Sequence, residues 1–388
     1  MKTITAMALF VVSGSALAQV AGTEDARKSM QAQTERAGVV AERGDKPHYT
    51  QKFDLSGLPN YRPGKPLSGW IRLHGSNYLV DGKLGDYWQQ GFARYQPGLR
   101  ISFYLPTSAI AFAALYYNQA DLVMGHKPSF YDLLAYQRIM SFDPTEITAV
   151  TGSYDVAGWE NSTVILVHKD NPLQGITMEQ LDGVFGAARD GGWAGTNFRP
   201  DWARGPEKNI RTWGQLGLKG EWADKPINLY GFNLRYNTAT DFADKVLKAS
   251  DKWNENIHAY AHIVRADGKR YIQADQITDA LAKDKYGIAF NRYRGERPGI
   301  RRLAVAGDKG TFVEHTLENV QSRTYPLYQE AFFYTNVKPG TAMDPNVKEF
   351  LRYVLSQEGQ AEVMRDGKYL PLTAEVVREQ LKKLEATP

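Results

Sequence analysis

The sequence predicts an α/β protein with two lobes, and three observations lead to this prediction. The chain has 388 residues, more than the roughly 250–300 residues at which one hydrophobic core stops growing. Short apolar runs typical of buried strands alternate with segments of helical periodicity, which favours largely parallel sheets. Hydrophobic residues make up 43% of the chain and aromatic residues 12%, which is enough material for two cores.

The first residues have the three parts of a secretory signal. Lys2 supplies the positive charge, residues 6–12 the apolar run and residues 16–18 the small-residue cleavage site. The run is shorter than the roughly 20 apolar residues that span a bilayer, and no later stretch reaches that length. We therefore expect residues 1–18 to be a signal peptide, and the mature protein to be periplasmic or secreted and not inserted in a membrane.

The elements of the mature chain can be predicted in order. Residues 19–66 read as an N-terminal extension that wraps the core, polar at first and then rich in proline and glycine. The apolar runs predict strands at 68–73, 101–105, 121–124, 162–167, 227–230, 287–290 and 330–334. Helices are predicted at 110–117 and 178–185, the second with Thr177 as its N-cap. Residues 186–225, rich in glycine, tryptophan and charge, are predicted to form a loop-rich excursion.

The C-terminal region has the clearest helix signals. Asp344 suits an N-cap, Pro345 the first helical position, and Gly359 the end of that helix. Thr373 is predicted to open a last amphipathic helix.

Three strand-to-helix junctions share small hydroxyl or amide residues. A helix start has unpaired N–H groups and partial positive charge, so it favours anions, and such junctions lie where ligands bind in open α/β sheets. The candidate ligand-binding residues are Ser76, Asn77 and Tyr78, then Thr107 and Ser108, then Tyr236, Asn237 and Thr238. Each is also an ordinary helix cap, and the spacing of Thr238 and Asp241 suits a capping box.

Other functional classes have little support. The chain carries 47 basic and 43 acidic residues, scattered rather than gathered in a stripe, so nucleic acid is not an expected partner. There is no cysteine, which excludes disulfides, thiol nucleophiles and zinc–thiolate sites. His258 and His262 have the spacing of a metal pair on a helix, but Ala259 stands where a metalloprotease needs glutamate. We predict no catalytic residue, no metal site and no cofactor.

Several motifs point to one family. They are TSAIAFAAL at 107–115, YPL at 325–327, FFYTN at 332–336, DPNVKEFLRYVLS at 344–356 and GKYLPL at 367–372. Across about residues 68–372 the chain resembles the phosphate-binding subunits of phosphate ABC transporters. The resemblance implies a type II periplasmic-binding-protein fold with a hinged cleft, the first lobe at 67–160 plus 300–388 and the second at 161–299. It also implies a solute-binding protein that is not an enzyme, with phosphate or a similar small anion and an ABC transporter permease as partners.

The binding loops depart from the family pattern. Tyr236-Asn237-Thr238 stand where the family has Ser-Gly-Thr, and Phe232 stands where it has arginine, with Arg235 as the nearby substitute. His126 stands where the family has aspartate or arginine. A histidine donates to an anion and attracts it more once protonated, below a pKa of about 6.5. The sequence therefore predicts that the ligand is a small anion, without specifying phosphate. A ligand-free scaffold or sensor on the same fold remains the alternative.

Overall fold

The computed structural model describes residues 49–307 and 310–386. The predicted signal peptide and residues 19–48 of the predicted extension lie outside the described residues. The strands are β1 (Gly69–Gly75), β2 (Leu99–Tyr104), β3 (Leu122–Gly125), β4 (Thr145–Thr151), β5 (Thr163–His168), β6 (Gly175–Thr177), β7 (Gly192–Ala194), β8 (Asn197–Arg199), β9 (Asn228–Phe232), β10 (Ile257–Tyr260), β11 (Ile263–Val264), β12 (Arg270–Tyr271), β13 (Gly287–Arg292), β14 (Ile300–Arg302), β15 (Ala304–Ala306), β16 (Phe312–Val313) and β17 (Glu330–Thr335).

Helices connect and cover these strands. They are α1 (Tyr78–Asp81), α2 (Leu84–Ala93), α3 (Ala111–Tyr116), α4 (Phe130–Met140), α5 (Met178–Phe185), α6 (Asn237–Leu247), α7 (Gln273–Leu281), α8 (Leu317–Gln321), α9 (Pro345–Val354), α10 (Gln357–Asp366) and α11 (Ala374–Glu385). Short 3-10 turns lie at Ser108–Ile110, Pro200–Trp202, Pro206–Lys208, Trp213–Leu216 and Gly220–Trp222.

Two five-stranded sheets form the centres of two lobes. The sheet of the first lobe has the order β2-β1-β3-β17-β4, and the sheet of the second has the order β10-β9-β13-β5-β14. In each sheet one strand, β17 or β5, runs against the other four. This confirms the predicted two-lobed α/β fold with largely parallel sheets. The parallel strands bring their carboxyl ends to one edge of each sheet, and these edges carry the predicted junctions.

Each lobe has its own apolar core. Ile71, Leu73 and Phe333 on the first sheet pack against the helical side chains of Trp88 and Phe350. In the second core, strands β5, β9 and β13 bury continuous apolar runs against α5, α6 and α7 because both faces of the sheet are covered.

The helix-start predictions hold at three places. Thr177 caps α5, Thr373 caps α11, and Asp344 accepts N–H bonds at the start of α9 before Pro345. The prediction that Gly359 ends the helix is wrong. Helix α9 already ends at Val354, and Gly359 lies in the first turn of α10, where its N–H donates to the Ser356 hydroxyl at 3.1 Å.

Two packing observations bear on the predicted domain boundaries. The described part of the extension, residues 49–66, runs along the first lobe and buries Leu55, Leu58 and Tyr61 in its core. Residues 300–327, assigned from sequence to the first lobe, pack in the second: β14 pairs with β5, and Val305 is buried there.

Candidate functional site

The first two predicted junctions lie at the carboxyl edge of the first sheet. Gly75 ends β1 with φ +117, and a Cβ there would lie 2.2 Å from the Met124 carbonyl oxygen, so only glycine fits. The N–H of the next residue, Ser76, donates to that same carbonyl at 2.8 Å. This bond holds the first junction beside the end of β3. Ser76 and Asn77 are both buried.

The second junction and His126 are brought together. The hydroxyl of Ser108 lies 3.2 Å from Nδ1 of His126, and Thr107 orients the turn by accepting the Ala109 N–H at 3.4 Å. The first lobe therefore collects the Ser76, Ser108 and His126 positions at the ends of three neighbouring strands.

The third junction, in the second lobe, is organised by an arginine. The Thr238 hydroxyl accepts from Nε of Arg292 at 3.0 Å, and Asp241 accepts from its Nη2 at 2.6 Å. The suggested capping box of Thr238 and Asp241 is therefore wrong. Helix α6 begins at Asn237 with Tyr236 as an N-cap that makes no side-chain bond, and the two polar side chains bind Arg292 instead.

Arg292 and Glu160 connect this junction to the segment between the lobes. Nη1 of Arg292 donates to the Asn161 carbonyl at 2.8 Å, and its Nη2 lies 4.0 Å from a Glu160 carboxylate oxygen. Glu160 is 7% exposed and sits in the left-handed region with φ 45, a conformation that costs a non-glycine residue energy and is often found at functional sites.

Glu160 is within electrostatic reach of both halves of the site. Burial raises its pKa above the usual value, the charges of His126 and Arg292 oppose that rise, and the charge of Asp241 adds to it. His126 belongs to the first lobe and Arg292 to the second. The site thus contains acidic as well as basic side chains, with Asp241 paired to Arg292 and the pKa of Glu160 raised by its burial.

Some predicted residues are placed differently. The side chain of Arg235 is exposed, and the Tyr236 hydroxyl points to Nδ1 of His262 at 2.7 Å. Tyr78 uses its carbonyl to accept the indole N–H of Trp159 at 3.2 Å, and the Asn77 amide donates to Asp81. The side chains of Asn77 and Tyr236 are thus engaged in local structure and that of Arg235 is directed to solvent, whereas Asn237 stands at the first turn of α6.

Sequence reasoning missed Glu160, Arg292, Asp241 and Tyr369. A signal existed for Arg292, because it ends β13, and the carboxyl ends of parallel strands are where ligands bind. The predicted strand stopped two residues short, at 290. Glu160 follows no strand end or motif, so nothing in the sequence distinguished it.

Tyr369 adds a buried hydroxyl near the first junction. Its ring is 1% exposed, and its hydroxyl has no hydrogen-bond partner among the described residues. Burial raises its pKa well above the usual value, the Glu160 charge adds to the rise and the Ser76 hydroxyl opposes it. Glu160 and Ser76 therefore both influence the Tyr369 hydroxyl, which has no hydrogen-bond partner among the described residues.

A second polar cluster resembles a catalytic serine–histidine pair, but its imidazole carries the proton on the nitrogen that faces the serine. The Ser162 hydroxyl lies 2.6 Å from Nε2 of His315, whose Nδ1 lies 2.9 Å from a guanidinium nitrogen of Arg302. A guanidinium only donates, so Nδ1 accepts and the neutral ring carries its proton on Nε2. Burial, assisted by the Arg302 charge, lowers the pKa of His315 to about 3. The imidazole therefore donates to Ser162 and is unsuited to remove its proton.

The histidine pair does not form a metal site. His258 lies in strand β10 and stacks on Tyr230 at 5.7 Å, and His262 follows that strand, so the two do not share a helix face. Among the described residues, no group of three or more metal-ligating side chains is present. In that part of the chain, no helix has both the length and the apolar character needed to cross a bilayer.

Comparison with known proteins finds relatives that are phosphate-binding proteins. The phosphate-binding protein PstS of Pseudomonas aeruginosa is 29% identical over 329 residues, covering 84% of this chain and 90% of that protein. The protein of the same name from Staphylococcus haemolyticus is 23% identical over 179 residues, 45% of this chain and 50% of that one.

A solved ABC-type phosphate transport receptor from Vibrio cholerae superposes with a TM-score of 0.47 and 15% identity, covering 77% of this chain and 99% of that one. No family model matches the chain. The similarity to the Pseudomonas protein extends over most of both sequences, and the resemblance indicated by the motifs is confirmed: the chain is a relative of the phosphate-binding proteins.

Proposed function

We propose that this protein is an exported receptor that binds phosphate, or a closely related oxyanion, between its lobes and delivers it to an ABC transporter permease. The observation that carries the proposal is the similarity to a phosphate-binding protein over 84% of the chain. The candidate site supports it, because Glu160 interacts electrostatically with His126 of one lobe and with the buried Arg292 of the other.

The anion would be held by neutral donors and one buried charge. Ser76 and Ser108 would donate from the first lobe, together with His126. In the second lobe, Arg292 would supply the positive charge and Thr238 would add a hydroxyl group. The resemblance assigned the charge to Arg235, but that side chain is exposed, whereas Arg292 is buried beside Thr238. We therefore infer that Arg292 replaces the arginine that is missing at Phe232.

Glu160 would make the site selective for a protonated anion. An ionised carboxylate accepts a hydrogen bond from an oxyanion that carries a proton and repels one that carries none. Phosphate carries a proton at neutral pH and sulfate does not. Glu160 would therefore do what the family's aspartate does, although it comes from another segment of the chain.

Binding is proposed without turnover and outside the cytoplasm. The Ser162–His315 pair has the wrong proton placement for a nucleophile and base, as described above. Export rests on the signal-like residues 1–18, and delivery to a permease on the similarity to transport receptors.

Calorimetric titration of ligand-stripped protein tests the proposal. Phosphate, sulfate, tungstate and small carboxylates are titrated separately, with Arg292→Met as the control for binding at this site. We expect phosphate to bind with a dissociation constant of about micromolar or lower, and the control to bind it at least about a hundredfold more weakly. If no anion binds better than about millimolar, the receptor proposal is wrong and the scaffold alternative gains support.

A further inference from the structure

A short hairpin of the second lobe touches a helix of the first. The hairpin, residues 192–199, contains β7 and β8, and its partner is α4. The ring centroids of Trp193 and Phe130 are 4.6 Å apart, and the Thr196 hydroxyl donates to Oε1 of Gln137 at 2.6 Å. We call residues 192–199 the latch hairpin.

Each partner is anchored in its own lobe. The N–H of Trp193 donates to the Lys248 carbonyl at 2.9 Å, directly after the site helix α6. Helix α4 buries Tyr136 against β17 of the first sheet, and the Tyr136 hydroxyl donates to Asn336 at 2.8 Å. A movement of one lobe relative to the other must therefore change the contact between the latch hairpin and α4.

The contact joins elements that also carry residues of the candidate site, and neighbouring groups fix its geometry. Helix α4 begins four residues after His126, and the latch hairpin is bonded to the end of the helix that carries Thr238. The Gln137 amide nitrogen donates to Asp143 at 2.6 Å, which leaves Oε1 directed to Thr196. At the hairpin turn, Gly195 has φ +62, and a Cβ built there would lie 3.9 Å from Leu133, so the turn meets the helix closely.

The contact can shift the equilibrium between the open and closed arrangements of the lobes, and it is weak enough to break when the lobes separate. It consists of one neutral hydrogen bond and one tilted aromatic pair, each of which contributes modestly in proteins. Among the residues that the structure describes, no ion pair joins the latch hairpin to α4. Such a contact can be lost whenever the lobes separate.

We propose that the latch hairpin sets the anion affinity and release rate by holding α4 only when the lobes are closed. It touches no candidate ligand-binding residue, so it acts by stabilising the closed state in which the anion contacts of both lobes are made together. The inference rests on the proposed function. Phe130, Gln137, Trp193 and Thr196 are therefore positioning residues.

A double-mutant cycle on the hydrogen bond tests the latch. Thr196→Val, Gln137→Leu and the double variant are titrated with inorganic phosphate, and release is followed by stopped flow. Each single change should raise the dissociation constant about three- to tenfold, the size expected for one lost hydrogen bond. The double change should add little to that. The increase in the dissociation constant should come entirely from faster release of phosphate, because the substitutions leave the open state unaltered.

Matched controls separate the possible outcomes. Thr278→Val makes the same change on α7, where the hydroxyl bonds only to its own helix, and should leave phosphate affinity unchanged. If wild-type protein binds phosphate and Thr196→Val behaves like Thr278→Val, the latch is refuted and the receptor function stands. If wild-type protein binds no anion, the receptor function itself is refuted.

A crosslink tests the latch without relying on affinity. Because the chain has no cysteine, Gln137→Cys with Thr196→Cys gives a unique thiol pair for a short bis-methanethiosulfonate reagent. Each thiol displaces one methanesulfinate and forms a reducible disulfide with the reagent. Crosslinked in the absence of phosphate, the protein should keep its compact scattering profile and take up phosphate at least about a hundredfold more slowly. Uptake at the rate of the uncrosslinked double variant would overturn the proposal, and reversal of the crosslink by a reductant serves as the folding control.

Discussion

The two halves of the candidate site are built from different chemistry. In the first lobe, Ser108 and His126 are partly exposed and bond to each other, so either can turn toward a ligand at small cost. In the second lobe, Thr238, Asp241 and Arg292 are locked into a buried network. One half is adjustable and is held by a single hydrogen bond, and the other is rigid and contains a buried ion pair.

Because of this difference, substitutions in the two lobes should affect folding stability and anion binding differently. Removing one partner of a buried ion pair leaves an uncompensated charge and costs far more than removing an exposed hydrogen bond. Changes in the second lobe should therefore reduce both folding stability and affinity, whereas changes in the first lobe should reduce affinity alone. Glu160, which is influenced by both lobes, should affect selectivity instead.

The largest expected effect is that of Arg292→Met. Asp241, which is 4% exposed, would lose its partner, and we expect the free energy of unfolding to fall by about 3–5 kcal/mol. Phosphate binding should fall more than about a hundredfold. Denaturant unfolding and calorimetric titration measure the two effects.

A paired variant serves as the control for Arg292→Met. Adding Asp241→Leu removes the orphaned charge, so stability should largely return while binding does not. Phosphate affinity near that of wild-type protein in the double variant would show that Arg292 only neutralises Asp241.

Glu160→Gln should change selectivity and its dependence on pH. Because burial raises the pKa of Glu160, its carboxylate takes up a proton at a higher pH than an ordinary glutamate. Sulfate binding by wild-type protein should therefore strengthen as pH falls through that raised pKa, because the repelling charge is lost. In the variant, sulfate should bind about ten- to a hundredfold more tightly at pH 7, and its affinity should depend less on pH than in wild-type protein because the contribution of Glu160 is lost.

Competition between phosphate and sulfate at pH 5 and pH 7 measures this effect. Glu296→Gln, which changes an exposed glutamate of the second lobe, is the control. A selectivity ratio that is equal in Glu160→Gln and wild-type protein would remove Glu160 from the site.

A smaller effect compares one hydroxyl from each lobe. Ser108→Ala should weaken phosphate binding about fivefold and leave the free energy of unfolding unchanged, because Ser108 bonds only to His126. Thr238→Val should weaken binding similarly, but it should also cost about 1–2 kcal/mol of stability because Nε of Arg292 loses its acceptor. Thermal unfolding without phosphate distinguishes the two. Equal stability losses would contradict the contrast between the lobes.

The fold was largely predictable, because its signals are local. Thr177, Thr373 and the Asp344–Pro345 pair each specify a helix start from a few residues. Strand β4 and helix α4 escaped prediction. Helix α4 has a weak amphipathic pattern and buries only Tyr136 among its side chains, so packing rather than periodicity defines it.

The site was only half predictable. Ser108 and His126 follow strands that the sequence revealed, so the edge of the first sheet brings them together. Arg292 and Thr238 are 54 residues apart, and their bond depends on the pairing of β9 with β13, which no local pattern encodes. Proximity to Phe232 in sequence pointed to Arg235, yet β13, not the loop at 235, presents an arginine to α6.

The smallest expected effect is that of Tyr369→Phe, which sharpens the contrast within the first lobe. The buried Tyr369 hydroxyl lacks a partner among the described residues, so removing it should leave the free energy of unfolding unchanged or raise it by about 1 kcal/mol. If a bound anion satisfies this hydroxyl, phosphate affinity should nevertheless fall about threefold. The stabilisation that saturating phosphate provides in thermal unfolding should fall with it.

Tyr325→Phe is the matched control, because its hydroxyl already bonds to the Thr163 carbonyl at 3.0 Å and its loss should reduce stability without changing affinity. Lower stability with unchanged phosphate affinity in Tyr369→Phe would make Tyr369 a packing residue and leave the first lobe with Ser76, Ser108 and His126 as its only proposed anion donors.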